Sequence, residues 1–65
     1  MRYEFRLTGR LSKPITEAFP ELEEIPAAPQ TLLFGAVTDE AHLYGLLMRF
    51  QDLGLHMVEM RRLPD

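Results

Sequence analysis

The stretch Thr31-Leu32-Leu33-Phe34-Gly35-Ala36-Val37-Thr38-Asp39-Glu40 decides the fold, because it joins an apolar strand to the start of a helix. Residues 31–37 are apolar on both sets of alternating positions, which is typical of a strand whose two faces both need cover. One face carries Leu33 and Val37, and the other carries Leu32, Phe34 and Ala36. The strand therefore predicts a core on one side of a sheet and a second apolar surface on the other.

A helix is predicted to follow, from a cap at Thr38 or Asp39 to Gly54, which suits a left-handed C-terminal cap. Its apolar side chains recur at i, i+3, i+4, i+7 and i+10 and define one stripe that faces the sheet. The stripe consists of Leu43, Leu46, Leu47, Phe50 and Leu53. A glycine at position 45 destabilises the predicted helix by roughly 1 kcal/mol relative to alanine. Its presence therefore indicates either close approach by another backbone or a tolerated substitution.

The N-terminal third predicts a strand and a short helix. Residues 1–11 alternate apolar and polar side chains, as a half-buried strand does, and Gly9 indicates a bulge or a close backbone approach near its end. Ser12-Lys13-Pro14 is a plausible helix start, and Pro20 ends that helix because the residue before a proline is disfavoured in helical geometry.

Two further strands complete the pattern. Between residues 21 and 30 the signal is weak, and the prolines allow only an edge strand around Ile25 or a loop. Residues 55–63 form the last strand, with Val58 and Met60 toward the core.

In chain order these elements predict one α+β domain over residues 1–65, with a ferredoxin-like split βαββαβ arrangement. The strands would be ordered four, one, three, two in an antiparallel sheet, with both helices on one face. The second strand is weak or absent, and it belongs at the edge, where prolines are allowed.

Composition excludes several classes of function. The net charge of −3 disfavours nucleic acid as a partner, because phosphate binding needs a basic surface. With no cysteine and two histidines we expect no metal and no cofactor. No apolar run approaches a membrane span and no signal peptide is evident, so a cytoplasmic location is expected. A core built from 65 residues is barely sufficient, which favours self-association.

Residues 35–47, followed by Asp52-Leu53-Gly54-Leu55, resemble a family of short uncharacterised bacterial proteins. The pattern of that family also begins with an alternating strand like Tyr3-Glu4-Phe5-Arg6. The resemblance covers most of the chain except residues 12–30, and it implies a fold without implying an activity. A second, weaker resemblance, to ACT-type amino-acid-binding modules, rests on Gly35, Asp39, the stripe from Leu43 to Phe50, and Gly54.

His42 is the one candidate for chemistry. It falls in the first turn of the predicted helix, where the positive end of the helix dipole favours a neutral imidazole that can act as a base. The competing interpretation, a solvent-exposed residue beside the core stripe, is favoured, so no catalytic residue is assigned. The alternative hypothesis is a small cofactor-free dimeric enzyme, or an ACT-like small-molecule-binding module, with His42 near the site.

The preferred hypothesis is a homodimeric interaction or regulatory module, which also admits a separate partner protein. Its predicted interface is the sheet face opposite the helices, with an apolar centre and a rim in which opposite charges alternate. The centre consists of Leu32, Phe34 and Ala36, and the rim of Arg2, Glu4, Arg6, Glu59 and Arg61. Arginines on two adjacent strands could instead form an anion site, but the interleaved glutamates favour cross-strand ion pairs.

Overall fold

The computed structural model describes residues 1–64, which form four strands and two helices. In chain order these are β1 (Arg2–Thr8), α1 (Lys13–Glu17), β2 (Glu23–Ala27), β3 (Gln30–Ala36), α2 (Glu40–Asp52) and β4 (Met57–Leu63). Neither helix in this part of the chain is long and apolar enough to cross a membrane.

The strands form one antiparallel sheet in the order β2-β3-β1-β4. The predicted α+β class, with a four-stranded antiparallel sheet and two helices, is confirmed. The weakly predicted β2 is present: its five residues are all exposed, and Pro26 lies within it. An edge strand needs hydrogen bonds on one side only, so the missing N–H of a proline is tolerated there.

The core lies on one face of the sheet, between β1, β3 and α2. Phe50 of α2 is central, with ring centroids 5.1 Å from Phe5 of β1 and 4.7 Å from Phe19, which follows α1. The buried apolar residues are Phe5, Leu7, Leu11, Phe19, Leu33, Val37, Leu43, Leu46 and Phe50. Burying Leu33 and Val37 leaves the alternate residues of β3 on the opposite face, as the sequence predicts.

Helix α2 has the predicted caps, but its buried stripe is narrower than predicted. The Asp39 side chain accepts a hydrogen bond from the backbone N–H of His42, and Gly54 has a φ of +71°. Leu47 is only half-buried, because it lies about 100° around the helix from the buried Leu46. Leu53 follows the last helical turn and is 42% exposed, so including it in the buried stripe was wrong.

Strand β4 contains a bulge, so the prediction that Val58 lies toward the core is wrong. The register against β1 shifts between the pairs Arg6–Glu59 and Leu7–Met57, which leaves Val58 as the extra residue. Val58 is 50% exposed, and the half-buried Met57 packs against the core instead. Met60 lies opposite Phe5 but on an edge strand, where it stays 39% exposed.

Gly45 is exposed in α2, and a Cβ built there meets no atom within 4 Å. Close approach by another backbone of the same chain is therefore not the reason for this glycine. We expect Gly45→Ala to stabilise the fold by about 0.5–1 kcal/mol, since alanine restricts the unfolded chain and is the better helix former. Urea denaturation measures the gain. A loss of stability would mean that this position contacts a second molecule.

Candidate functional site

A polar cluster joins the turn before β2 to helix α2. Arg49 of α2 donates two hydrogen bonds to the Glu21 carboxylate, from Nη1 to Oε1 at 3.2 Å and from Nη2 to Oε2 at 2.9 Å. The Nη1 atom also donates to the carbonyl of Ala18 at 3.0 Å, and the guanidinium lies 5.5 Å from the ring centroid of Phe19. A bidentate guanidinium pair of this kind has a fixed geometry, so it positions the turn against the helix.

His42 is the third member of this cluster, and both of its ring nitrogens are engaged. The backbone N–H of Thr38 donates to Nδ1 at 3.0 Å, and Nε2 lies 3.1 Å from Oε2 of Glu21. A backbone N–H can only donate, so Nδ1 is the acceptor, and Nε2 carries the proton that it donates to Glu21. With both nitrogens engaged, His42 has no lone pair free for a substrate, and its geometry is that of a positioning residue.

The Glu21 carboxylate is the charged centre of this cluster. Hydrogen bonds from Arg49 lower the pKa of Glu21 from its ordinary 4.5 to about 2, against the opposing effect of burial, and the hydrogen bond from His42 adds to the lowering. Glu21 therefore stays ionised in the folded protein down to strongly acid pH. The Glu21 carboxylate is thus fixed by Arg49 and His42 and is not a freely solvated group.

Gly35 of β3 allows the turn to sit where it does. A Cβ at this position would lie 2.6 Å from the carbonyl oxygen of Glu21, closer than any side chain tolerates. The turn therefore packs directly on the backbone of the strand. Gly35 was the available signal for this site, since a glycine within a strand often marks close backbone approach.

The sheet face opposite the helices, which we call the open face, has the composition predicted from the sequence. Its central strand β3 contributes half-buried Leu32 and Phe34 and exposed Ala36, and edge strand β2 adds Ile25, which is 46% exposed. The other half of the face is charged. Its residues are Arg2, Glu4 and Arg6 of β1 with Glu59 and Arg61 of β4.

One ion pair on the charged half joins two strands, as predicted, and a second lies along β1. Glu4 accepts a hydrogen bond from Arg61 at 2.9 Å and lies 3.5 Å from Nη2 of Arg6. The Arg61 hydrogen bond, with the neighbouring Arg6, lowers the pKa of Glu4. Arg10 does not join this row, because it lies beyond the end of β1.

Arg6 is incompletely paired within residues 1–64. Its Nη1 donates to Gln30 at 3.4 Å, but its buried Nε has no hydrogen-bond partner. A buried, unpaired donor on a charged group is costly.

The second histidine, His56, lies before β4, where its Nδ1 is 3.0 Å from the Thr8 hydroxyl. In the described part of the chain, no three His, Asp or Glu side chains are grouped closely enough to hold a metal ion.

The chain belongs to a family defined by a domain of unknown function, DUF8691, whose model matches residues 2–61. This match agrees with the resemblance to a family of short uncharacterised proteins. No curated protein and no solved structure matches the chain.

Proposed function

We propose that this chain is an interaction module that forms a homodimer through the open face and serves as an accessory or regulatory subunit. The observation that carries the proposal is the apolar centre of that face. Leu32, Phe34 and Ile25 form a contiguous patch in the sheet register, and no element of residues 1–64 packs over it. An uncovered apolar patch with a polar rim is typical of a protein interface.

Charge complementarity supports a second copy as the occupant. Two neighbouring rows of the register cross the open face, about 6.8 Å apart at two residues of extended chain. The first row reads Glu23, Phe34, Glu4, Arg61, and the second reads Ile25, Leu32, Arg6, Glu59. Two open faces can stack about a two-fold axis that lies between the two sheets, runs parallel to the rows and passes midway between them. This axis places each row of one subunit over the other row of the partner subunit.

Under that axis the contacts are favourable at three positions. Phe34 meets Leu32 of the partner subunit, Glu4 meets Arg6 of the partner subunit, and Arg61 meets Glu59 of the partner subunit. An isologous interface requires this kind of self-complementarity.

The ferredoxin-like split βαββαβ arrangement belongs to the same proposal. The strand order β2-β3-β1-β4, read from the β4 edge as four, one, three, two, supports it. In this arrangement both helices cover one face, and the other remains available for association. A bacterial origin, a cytoplasmic location, the ACT resemblance and a separate partner protein stay predictions.

We expect the native protein to have about twice the chain mass of 7.5 kDa by light scattering, and Phe34→Glu to be monomeric. A carboxylate at this position is buried without a partner in the dimer, which costs several kcal/mol. Tyr44→Glu is the matched control, because Tyr44 is 61% exposed on α2, away from the open face. That variant should remain dimeric.

Circular dichroism separates dissociation from unfolding, since a folded Phe34→Glu monomer keeps the helical signal. A native mass of one chain would contradict the proposal. So would a Phe34→Glu variant that stays dimeric.

A further inference from the structure

A cavity lies at the end of the sheet remote from the Glu21 cluster. It measures about 580 Å³ and opens between the β1–α1 connection, α1 and the β2–β3 hairpin. The residues that line it include Arg10, Leu11 and Lys13 on one side and Glu24, Pro26 and Pro29 on the other. A volume of this size is in the range of small-molecule sites.

Two backbone hydrogen-bonding groups of Gly9 hold the walls of the cavity together. Its N–H donates to the carbonyl of Pro29 at 2.7 Å, and its carbonyl accepts a hydrogen bond from the Thr31 hydroxyl at 2.7 Å. Gly9 has a φ of +81°, a conformation that other residues rarely adopt. The connection is thus fixed to the hairpin, and the cavity is formed before any ligand binds.

The lining combines apolar surface with unpaired cations. Leu11, Pro26 and Pro29 provide apolar walls, and Arg10 and Lys13 provide two positive charges. Within residues 1–64 neither cation has a carboxylate at ion-pair distance, although the whole protein is acidic. Glu24 is the one carboxylate of the lining, so the local charge is positive.

We propose that this cavity binds a small organic carboxylate with an apolar body. The carboxylate would be held by Arg10 and Lys13, and the apolar body would lie against Leu11 and the two prolines. The negative charge of Glu24 repels the carboxylate of the ligand and so favours its position beside Arg10 and Lys13. This site is independent of the proposed dimer, because its cationic wall belongs to the β1–α1 connection and not to the open face.

The test is a titration of ¹⁵N-labelled full-length protein with three probes that share one apolar body: hexanoate, hexanol and hexylamine. We expect hexanoate to shift the amide resonances of Gly9, Arg10 and Thr31 saturably, and to bind at least about tenfold more tightly than the other two. A tenfold preference corresponds to one charge-assisted contact. Equal binding of the three probes, or no saturable binding of hexanoate, would overturn the proposal.

Three variants test which charged residues affect the binding of hexanoate. Arg10→Gln combined with Lys13→Gln should weaken hexanoate binding about tenfold or more, and Glu24→Gln should strengthen it severalfold by removing a repulsive charge. Arg62→Gln is the matched control, since Arg62 is an exposed arginine on β4, outside the cavity, and its loss should leave binding unchanged. Retained affinity in the double variant, or weaker binding in Glu24→Gln, would contradict the assignment.

Discussion

Replacing Leu46 with alanine should unfold most of the protein at room temperature. Leu46 is fully buried at the centre of the α2 stripe, between Leu43 and Phe50, and its side chain contributes to the only core within residues 1–64. Leucine-to-alanine substitutions at such positions cost about 2–5 kcal/mol. A domain of this size rarely has more than about 3–5 kcal/mol of stability, so the loss is comparable with the total.

Leu53→Ala is the matched control. It removes the same atoms from the end of the same helix, but Leu53 is 42% exposed, so the expected loss is below about 1 kcal/mol. Urea denaturation followed by circular dichroism measures both variants, at one chain concentration because dimerisation would add to stability. Equal losses in the two variants would show that the buried stripe is centred elsewhere.

The difference between these two leucines illustrates what periodicity predicts. A 3.6-residue repeat identifies α2 and its apolar side, and the caps at Asp39 and Gly54 identify its ends. Periodicity does not show which turn of helix α2 is the last to pack on the sheet, because the end of the packed stripe depends on where the chain leaves the helix toward β4. Leu53 satisfies the repeat and still lies outside the core.

The open face was predictable for a related reason. Alternation along β3 assigns Leu33 and Val37 to the core, and Leu32, Phe34 and Ala36 to the other side, whatever the neighbouring strands are. The bulge at Val58 was not predictable, because a bulge depends on the register between two strands and has no distinct residue signature here.

The members of the Glu21 cluster lay beyond prediction from the sequence, because Gly35 indicates a close backbone approach but not which residue makes it. Glu21 is separated from His42 by 21 residues and from Arg49 by 28, and nothing local distinguishes it from Glu23 or Glu24. Its role arises from tertiary packing: the turn rests on Gly35 and brings one glutamate to α2. The place of His42 in the helix made it a candidate base, although no catalytic role was assigned, and the structure shows its nitrogens bound to Thr38 and Glu21.

Protonation of Glu21 should destabilise the protein at acid pH. The pKa of Glu21 is about 2 in the folded state against an ordinary 4.5, so the unfolded chain takes up this proton first as the pH falls. The stabilisation is therefore complete above about pH 5 and is lost progressively between about pH 5 and pH 2. A shift of one pKa unit corresponds to about 1.36 kcal/mol. Because Glu21 is partly exposed to solvent, we expect its ionised carboxylate to contribute about 2–3 kcal/mol to the free energy of unfolding.

Glu21→Gln should therefore lower the free energy of unfolding at pH 7 by about 2–3 kcal/mol and flatten its dependence on pH between 5 and 2. Glutamine keeps the shape of the side chain but lacks the charge that orients Arg49. Glu17→Gln is the control: Glu17 is exposed at the end of α1, and a substitution there should change stability by less than about 0.5 kcal/mol. Glu4, whose pKa is also lowered, contributes in the same acid range, so some pH dependence should remain in Glu21→Gln.

Urea denaturation at a series of pH values measures these slopes. If wild type and Glu21→Gln lose stability in parallel below pH 5, the carboxylate is not held by Arg49 and His42 in solution. A flattened curve in the variant would instead establish that one long-range ion pair fixes the turn before β2. Because β2 forms the edge of the open face and one wall of the proposed cavity, that turn sets the position of both surfaces.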